Sequence, residues 1–471
     1  MTGLETALAT LKDGADRVIE TSCATVILKG ARAYKLKKAV DYGFLDFTTV
    51  EKRATALHRE LRYNQRLAAD IYLGVEIVAG ESVLVMRRFD TGCVLDERVS
   101  DGWTPDAGLL RDLGRTIARF HAGAEICRDA FHADNIKYVI DTSRDNIHRH
   151  RDRLGAAMVD AYDAAITSTY DDLRPFVLQR FAQGHVRHGH GDLHLGNILV
   201  ENDVPVLFDC IEFNERLSQI DVLYDLAFLL MDLWVRGRRG AANSIMNVWL
   251  EQAARLEDDA GAVYAGLRLL PFYMSARAAV RCHVSANSRG GIEQARAYLE
   301  AAHRFLDASP ARLLAVGGLS GSGKSSRARA LAPASGRAPG AVILRSDEIR
   351  KRLWAWPERE VLPPQAYAVA ENGRVYNEML RLGDISLVGG QAAVLDATFR
   401  QADDRARAEA RADAAGVAFD GLWLDVPAAV RARRIADRIA DVSDATPETA
   451  LNQKAVDGTA MAWRIERAGE P

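Results

Sequence analysis

Two short runs of residues carry side-chain types at spacings that chemistry can use. The first is Gly318-Leu319-Ser320-Gly321-Ser322-Gly323-Lys324-Ser325. Glycines here let successive backbone N–H groups turn inward around an anion, where a side chain would clash. A helix opening at the end of the run adds its positive end. Lys324 then reaches terminal phosphates and Ser325 offers its hydroxyl to Mg²⁺. Gly318, Gly321, Ser322, Gly323 and Ser326 complete the expected nucleotide cradle. The second run is His190-Gly191-Asp192-Leu193-His194-Leu195-Gly196-Asn197, with Asp209 following the next apolar stretch. Phosphoryl transfer to a hydroxyl needs a carboxylate that accepts the proton. It also needs an amide oxygen that holds Mg²⁺, and a second carboxylate that bridges the metal to the phosphates. Asp192, Asn197 and Asp209 fit those roles in that order.

Other residues refine the first site. Asp347, in Ser346-Asp347-Glu348-Ile349-Arg350, follows an apolar segment, where open α/β sheets bind ligands. It is a candidate proton acceptor, and Arg350, one helical turn on, a candidate holder of an anionic group. Asp396, after Val394-Leu395, is a candidate Mg²⁺ or water holder. Arg431, Arg434 and Arg438 fall on one expected helix, with Arg434 and Arg438 sharing a face. That arrangement suits a lid that neutralises charge on the transferring group. Asp437 and Asp441 are competing partners for these arginines.

The elements that must position these residues differ between the two halves. Thr25–Leu28 and Ala33–Lys37 flank Gly30 as a hairpin, Glu51–Ala69 has helical apolar spacing, and Glu81–Met86 reads as a strand. Residues 105–185 and 221–305 read as helical, around a polar loop at 185–197 and strands at Ile198–Val200 and Pro205–Phe208. Pro310 disfavours helix at the residue before it, so the linker is placed at 307–311. Beyond it, strands at Leu313–Val316, Val342–Leu344, Val394–Leu395 and Gly421–Leu424 alternate with helices, the pattern of a parallel sheet covered on both faces. The expected division is 1–306, a linker at 307–311, and 312–471.

The Gly-x4-Gly-Lys-Ser loop, Ser-Asp-Glu-Ile-Arg, Leu-Asp-Ala-Thr-Phe and the arginine-rich lid together resemble the AAA-type kinase-like P-loop domains. Relatives of these include phage polynucleotide kinase, gluconate kinase and the zeta toxins. The resemblance covers about 312–465 and implies phosphoryl transfer to a hydroxyl without naming the acceptor. The His-Gly-Asp loop resembles the aminoglycoside phosphotransferases and their choline and fructosamine kinase relatives, over most of residues 20–300. It implies that Lys35 or Lys37, of which Lys37 is preferred, contacts the α/β-phosphates. Glu60 becomes the ion-pair partner and Met86–Phe89 the hinge beside adenine. Asp225, in Tyr224-Asp225-Leu226-Ala227, becomes a carboxylate bracing the loop. Glu212 is a further metal or acceptor candidate, and His188, His190 and His194 read as structural or polar-facing rather than as zinc ligands. No glycine-rich flap precedes the lysines, and aminoglycoside-type kinases also lack one.

The 471 residues carry a net charge of −3, which disfavours a duplex nucleic-acid partner. No uncharged apolar run reaches the length of a membrane span. The N-terminus lacks a secretory pattern, and five cysteines without metal spacing suit a reducing cytosol. The expected fold is mixed: α/β and α+β, two domains, a bilobal protein-kinase-like domain followed by a P-loop domain. The expected activity is transfer of the γ-phosphoryl group of Mg²⁺-ATP, at two sites, to a hydroxyl of a small molecule such as a sugar or amino sugar. A nucleic-acid-end or nucleotide-sugar kinase, or one domain sensing nucleotide for the other, are the alternatives. Acidic Asp160, Asp163, Asp171 and Asp172 would suit a cationic acceptor. The acceptor and the oligomeric state stay open.

Overall fold

The computed structural model describes residues 2–42, 45–100, 102, 105–437, 442–453 and 461–467. An antiparallel five-stranded sheet comes first: β1 (Arg17–Glu20), β2 (Ala24–Lys29), β3 (Arg32–Lys37), β4 (Tyr72–Val78) and β5 (Glu81–Arg87), in the order β1-β2-β3-β5-β4. Successive side chains of a strand point to opposite faces, so Lys35 and Lys37 share one face of β3 and Leu36 occupies the other. A second helix before residue 90, unanticipated by the sequence reading, covers that outer face. This is α1 (Gly3–Lys12), whose Ala7 and Leu11 pack on Ile27, Leu36 and Val83. The expected helix, α2 (Val50–Ala68), starts at a Thr49 cap and lies on the lysine face.

A helical lobe follows. It contains α3 (Leu95–Ser100), α4 (Ala107–Gly123), α5 (Asn135–Arg149), α6 (Arg151–Leu154) and α7 (Ala156–Ala182). Beyond the next strands come α8 (Glu215–Ser218), α9 (Val222–Val235), α10 (Arg239–Leu256), α11 (Ala260–Ala265), α12 (Leu270–Asn287) and α13 (Ile292–Leu306). Helix α9 is buried from Val222 to Leu233, so it is apolar on nearly every side. Two small antiparallel pairs frame the polar loop: β6 (Val186–His188) with β9 (Gln219–Asp221), and β7 (Ile198–Glu201) with β8 (Val204–Leu207). The β7–β8 turn places Asn202 and Asp203 at φ 51° and 62°, the left-handed pair that a tight hairpin requires and that Asn and Asp tolerate.

The C-terminal domain is a parallel sheet in the order β11-β12-β10-β13-β14. Its strands are β10 (Arg312–Gly318), β11 (Val342–Arg345), β12 (Ala393–Asp396), β13 (Ala418–Asp425) and β14 (Arg464–Arg467). The sequence reading expected four strands. It missed β14 because Arg464-Ile465-Glu466-Arg467 is exposed throughout and shows no apolar run. Helix α14 (Lys324–Leu331) packs on one sheet face. Helices α16 (Val369–Val388) and α17 (Ala402–Ala415) cover the other, while α15 (Ser346–Leu353), α18 (Ala428–Ala436) and α19 (Pro447–Asn452) crown its carboxyl end.

Residues between Leu306 and Arg312 form neither helix nor strand. The two domains nonetheless share one apolar core, which runs from Leu95 through α9 and α12 to Leu395 and Trp463. Helix α10 lies along the edge strand β11. Asn243 Nδ2 donates to the carbonyls of Ala341 (2.9 Å) and Pro339 (3.1 Å), and Asn247 Oδ1 accepts from the N–H of Ile343 (2.6 Å). Side-chain amides thus take the place of a neighbouring strand on an edge that would otherwise be unpaired.

Candidate active sites

The first site lies in the cleft between the antiparallel sheet and the helical lobe. Asn197 Nδ2 donates to both the carboxylate (3.0 Å) and the carbonyl (2.9 Å) of Asp192, which fixes the four-residue loop between them. His194 Nε2 lies 3.4 Å from the same carboxylate oxygen. Burial pushes the Asp192 pKa up, but His194, His190 and Arg277 outweigh it and hold the carboxylate below its ordinary range. The reverse holds for His194: burial favours the neutral ring, Asp192 favours the charged one, and the pKa ends raised. The backbone of the loop is pinned by Asp225, which accepts N–H bonds from His190 (2.6 Å) and Gly191 (3.0 Å). Trp249 of α10 donates to His121 Nδ1 (3.1 Å), leaving His121 Nε2 to donate to Asp225 (3.2 Å).

Asp209 occupies the left-handed region at φ 63°, a conformation a non-glycine residue keeps only when its surroundings enforce it. Here the Asp209 N–H donates to the Tyr72 hydroxyl (3.0 Å), and the next N–H, of Cys210, donates to Asn64 Oδ1 (2.9 Å). Both partners come from the sheet lobe, so the turn is clamped across the cleft. Lys35 Nζ bridges Glu60 (2.6 Å) and Asp209 (2.9 Å). Lys37 is buried and bridges Glu60 (2.7 Å) and Glu212 (2.6 Å). Burial raises the Glu60 pKa, yet the two ammonium groups overcome it and bring Glu60 down to about 2. Glu212, with one lysine, stays above its ordinary range because burial dominates. At the segment Met86–Phe89, expected to be the hinge, the rings of Phe89 and Phe208 meet edge-on at 5.3 Å within an apolar cluster that includes Val26, Ala33 and Leu199.

Of the three loop histidines, His188 packs against Tyr63 and His190 Nε2 lies 2.9 Å from the Phe208 carbonyl. His190 Nδ1 accepts the backbone N–H of Asp192 (3.3 Å), while His194 faces its carboxylate. Arg277 was not legible as a site residue: it is buried, with its guanidinium 3.8 Å over Tyr224 and 4.6 Å from Phe228. The acidic candidates for a cationic acceptor do not converge. Asp160 pairs with Arg151 (2.5 Å), Asp163 pairs with Arg144, and Asp171 and Asp172 are exposed on α7.

At the second site the glycine run leaves β10 and enters α14. Gly321 and Gly323 stand at φ 83° and 93°, and a Cβ on Gly321 would lie 2.5 Å from the Arg431 carbonyl. Register places Val316 of β10 and Arg345 of β11 both opposite Asp396 of β12, so Asp396 stands at the strand end beside the loop. The Ser322 hydroxyl and Asp396 Oδ2 are buried without a hydrogen-bond partner. Lys324 Nζ donates back to the Leu319 carbonyl (3.1 Å). From α18, Arg434 donates to the Ser322 carbonyl (3.1 Å) and Arg431 to the Ser320 carbonyl (3.3 Å). Gln453, which sequence reasoning missed, accepts from the Ser320 N–H (2.9 Å) and donates to its hydroxyl (3.0 Å). Arg438 and Asp441 lie outside the described residues.

Three predicted residues are placed less directly. Arg350 is buried, and its amines donate to the Ala366 carbonyl (2.6 Å) and Asn372 Oδ1 (2.8 Å). Asp347 is half-buried on the first turn of α15. Ser326 is exposed on α14. A cavity of about 330 Å³ opens between the domains, reaching Ser325, Arg345, Glu348 and Asp396 on one side and Arg111, Arg115 and Glu251 on the other.

Among the described residues no helix is long and apolar enough to cross a membrane. Comparison with known families places residues 42–270 in the Phosphotransferase enzyme family and residues 313–456 in the AAA domain family. The chain is 32% identical over 452 residues to the Uncharacterized protein Rv2004c of Mycobacterium tuberculosis (strain ATCC 25618 / H37Rv), covering 92% of this chain and 88% of the relative. The same values hold for the Uncharacterized protein Mb2027c of Mycobacterium bovis. Among solved structures, the Plasmodium vivax ethanolamine kinase is 11% identical, covering 61% of this chain and 81% of that one, at a TM-score of 0.38. The Mycobacterium tuberculosis APS kinase bound to AMPPNP and APS is 22% identical, covering 27% and 70%, at a TM-score of 0.21. With a phosphotransferase module, an AAA-type P-loop module and this match along nearly its whole length, the chain belongs to the two-domain phosphotransferase family that includes these mycobacterial proteins.

Proposed function

We propose that this phosphotransferase has two Mg²⁺-ATP sites, each transferring the γ-phosphoryl group to a hydroxyl of a small molecule. The observation that carries the reading is Lys35 bridging Glu60 and Asp209 in the same cleft as the Asp192–Asn197 pair. That arrangement has the parts phosphoryl transfer to an alcohol needs: a cation for the phosphates, two oxygen ligands for a metal and a proton acceptor. Lys35, rather than the preferred Lys37, is assigned the phosphate contact, because Lys37 is enclosed between two glutamates. The residues fit the metal: Asn197 and Asp209 in the first site, and Ser325 and Asp396 in the second, offer hard oxygen donors of the kind Mg²⁺ takes. When bound, Mg²⁺ neutralises charge on the phosphates. The orphaned Ser322 hydroxyl and Asp396 oxygen, and the glycine cradle, suit an anion with its metal at the second site.

Asp192, held ionised by His194, accepts the hydroxyl proton at the first site. The carboxylates for that task at the second stand on the first turn of α15, at Asp347 and Glu348, with Arg434 over the loop to offset charge. Arg350, engaged by Ala366 and Asn372, is assigned a bracing role for α15 rather than contact with an anion. The acceptor of the first site is neutral or anionic rather than polycationic, since Arg277 stands by Asp192 and the acidic candidates are paired or scattered. The domains are set at 1–306 and 312–471, joined by 307–311. Five unpaired cysteines fit a reducing, cytoplasmic setting.

The test is an ATP-consumption screen over sugars, amino sugars, nucleosides and oligonucleotides with wild type, Asp192→Asn and Lys324→Ala. Two acceptor classes, each lost in one variant, are expected. A single class lost in both variants would contradict independent sites. Salt-sensitive retention on single-stranded DNA would replace the small-molecule acceptor with a nucleic acid.

A further inference from the structure

The cavity between the domains touches the candidate metal ligands of the P-loop site and draws half of its lining from the other domain. Its floor is Ser325 and Arg329 of α14, Ile343 and Arg345 of β11, Glu348 of α15 and Asp396 of β12. Its far wall is Leu110, Arg111 and Arg115 of α4 with Ser244, Asn247 and Glu251 of α10. The Asn247–Ile343 and Asn243–Ala341 bonds hold that wall in place. The Arg255 guanidinium, which donates to the Glu348 carbonyl at 3.1 Å, ties the end of α10 to α15.

Charge across the cavity is uneven. Arg115 is paired with Glu358, and Arg345 lies 3.7 Å from Glu348 and 3.8 Å from Asp396. Glu251 pairs with Arg255 at 3.1 Å. Arg111, Arg329 and Arg359 line the same space and form no ion pair or hydrogen bond with another described residue. Burial, reinforced by the facing carboxylate Glu348, pushes Glu251 up to about 7, and burial likewise raises Glu348. Three guanidinium groups without a partner among the described residues, with Arg111 on the far wall, face a floor that carries the Asp396 carboxylate, whose Oδ2 has no hydrogen-bond partner; together they describe a slot for a molecule with an anionic tail and a hydroxyl head.

We propose that this cavity is the acceptor site of the P-loop domain, shared between the domains, and that it takes a phosphate-bearing alcohol whose phosphate is held by Arg111 of α4. The inference rests on the kinase reading of the P-loop. In the transfer, the acceptor hydroxyl oxygen forms a bond to the γ-phosphorus of ATP. The bond from that phosphorus to the β,γ-bridging oxygen breaks, and its electron pair leaves with ADP. The hydroxyl proton passes to a carboxylate of α15, of which Glu348 faces the cavity.

The experiment uses the full chain carrying Asp192→Asn, so that turnover reports the P-loop site. Ribose 5-phosphate and glycerol 3-phosphate are compared with ribose and glycerol, as substrates and, with a non-hydrolysable ATP analogue, by calorimetry. The phosphorylated compounds are expected to be preferred. Arg111→Glu is expected to raise their KM about tenfold or more and abolish the calorimetric signal while the KM for ATP is unchanged, and Arg111→Lys to restore both. Ser244→Trp, which fills the wall without altering charge, is expected to reproduce the loss. Equal use of phosphorylated and unphosphorylated compounds, or an unchanged acceptor KM in both Arg111→Glu and Ser244→Trp, overturns the shared site while leaving the kinase reading intact. Absence of any transfer that Lys324→Ala abolishes overturns the kinase reading and this proposal with it.

Discussion

The side-chain oxygen of Asn247, in the phosphotransferase domain, accepts a 2.6 Å hydrogen bond from the backbone N–H of Ile343, in the P-loop domain. A polar group buried without a partner costs ~1–3 kcal/mol. Asn247→Leu would leave the Ile343 N–H without its partner, while the Ala341 carbonyl keeps Asn243, so it is expected to lower unfolding stability by about that amount. Chemical denaturation checks the size. Proteolysis of the native protein is expected to speed up near 307–311 as the domains part.

Lys35 and Lys37 are two residues apart and are expected to fail differently. Lys35→Ala removes a cation from the cleft and should reduce turnover at the first site by ~100-fold or more, with little change in stability. Lys37→Ala strands Glu212 and half of Glu60 in the interior, and breaking a buried pair this way costs ~3–5 kcal/mol. Measuring kcat beside the denaturation midpoint for each variant separates the roles. A stable, inactive Lys37→Ala would reverse the assignment.

Asp192→Asn keeps the shape of the loop, including its bond to Asn197, but cannot accept a proton. Turnover is expected to fall by ~10²–10⁴ with the ATP dissociation constant nearly unchanged. Single-turnover kinetics and nucleotide binding measured side by side check both halves of the statement.

His185, His188 and His283 are pressed toward the neutral form by burial, and each titrates at about 4 in the folded chain. The unfolded chain binds these protons near the ordinary value of ~6.5. Their contribution is therefore complete above that value and lost as the pH falls from it toward 4, by roughly 1–2 kcal/mol per histidine at pH 5. His194, whose pKa is raised, acts in the opposite sense: its pairing with Asp192 stabilises fully below ~6.5 and fades as the pH climbs through its folded value. Urea midpoints between pH 5 and 8 test this, and His188→Gln should flatten the acid limb.

Gly321 leaves no room for a Cβ against the Arg431 carbonyl, and its φ of 83° disfavours any other residue. Gly321→Ala is expected to push α18 off the loop and weaken nucleotide binding at the second site by ~10-fold or more, leaving Asp192-dependent turnover in place. Equilibrium binding of a fluorescent nucleotide to the Asp192→Asn and Gly321→Ala proteins distinguishes the two sites.

Sequence was most informative where function constrains neighbours along the chain. Gly318–Ser325 and Asp192–Asn197 are local runs, and the elements carrying them formed as expected. It was least informative where a contact joins distant segments. Nothing in the spacing of Lys35 and Lys37 tells which one reaches Asp209, because the answer depends on how the cleft closes 174 residues later. Arg277 and Gln453 meet their sites only through tertiary packing, and β14 has no apolar pattern because it is exposed. Arg350 read as a ligand holder because it follows Asp347 by one turn, but its orientation is set by Ala366 and Asn372, far along the chain.

Helix α10 touches both halves of the molecule. Through Trp249 it steadies His121 and Asp225, and so the Asp192 loop; six residues earlier, Asn243 grips β11. At ~1.5 Å per residue these anchor points are only ~9 Å apart along a stiff rod. The separation of the two candidate sites is thus set like marks on a ruler, not by the slack of the segment at 307–311. Cutting that segment would not release two free-standing enzymes. Each fragment would carry a raw face cut from a common interior, and the pair would be expected to stay together or to precipitate apart.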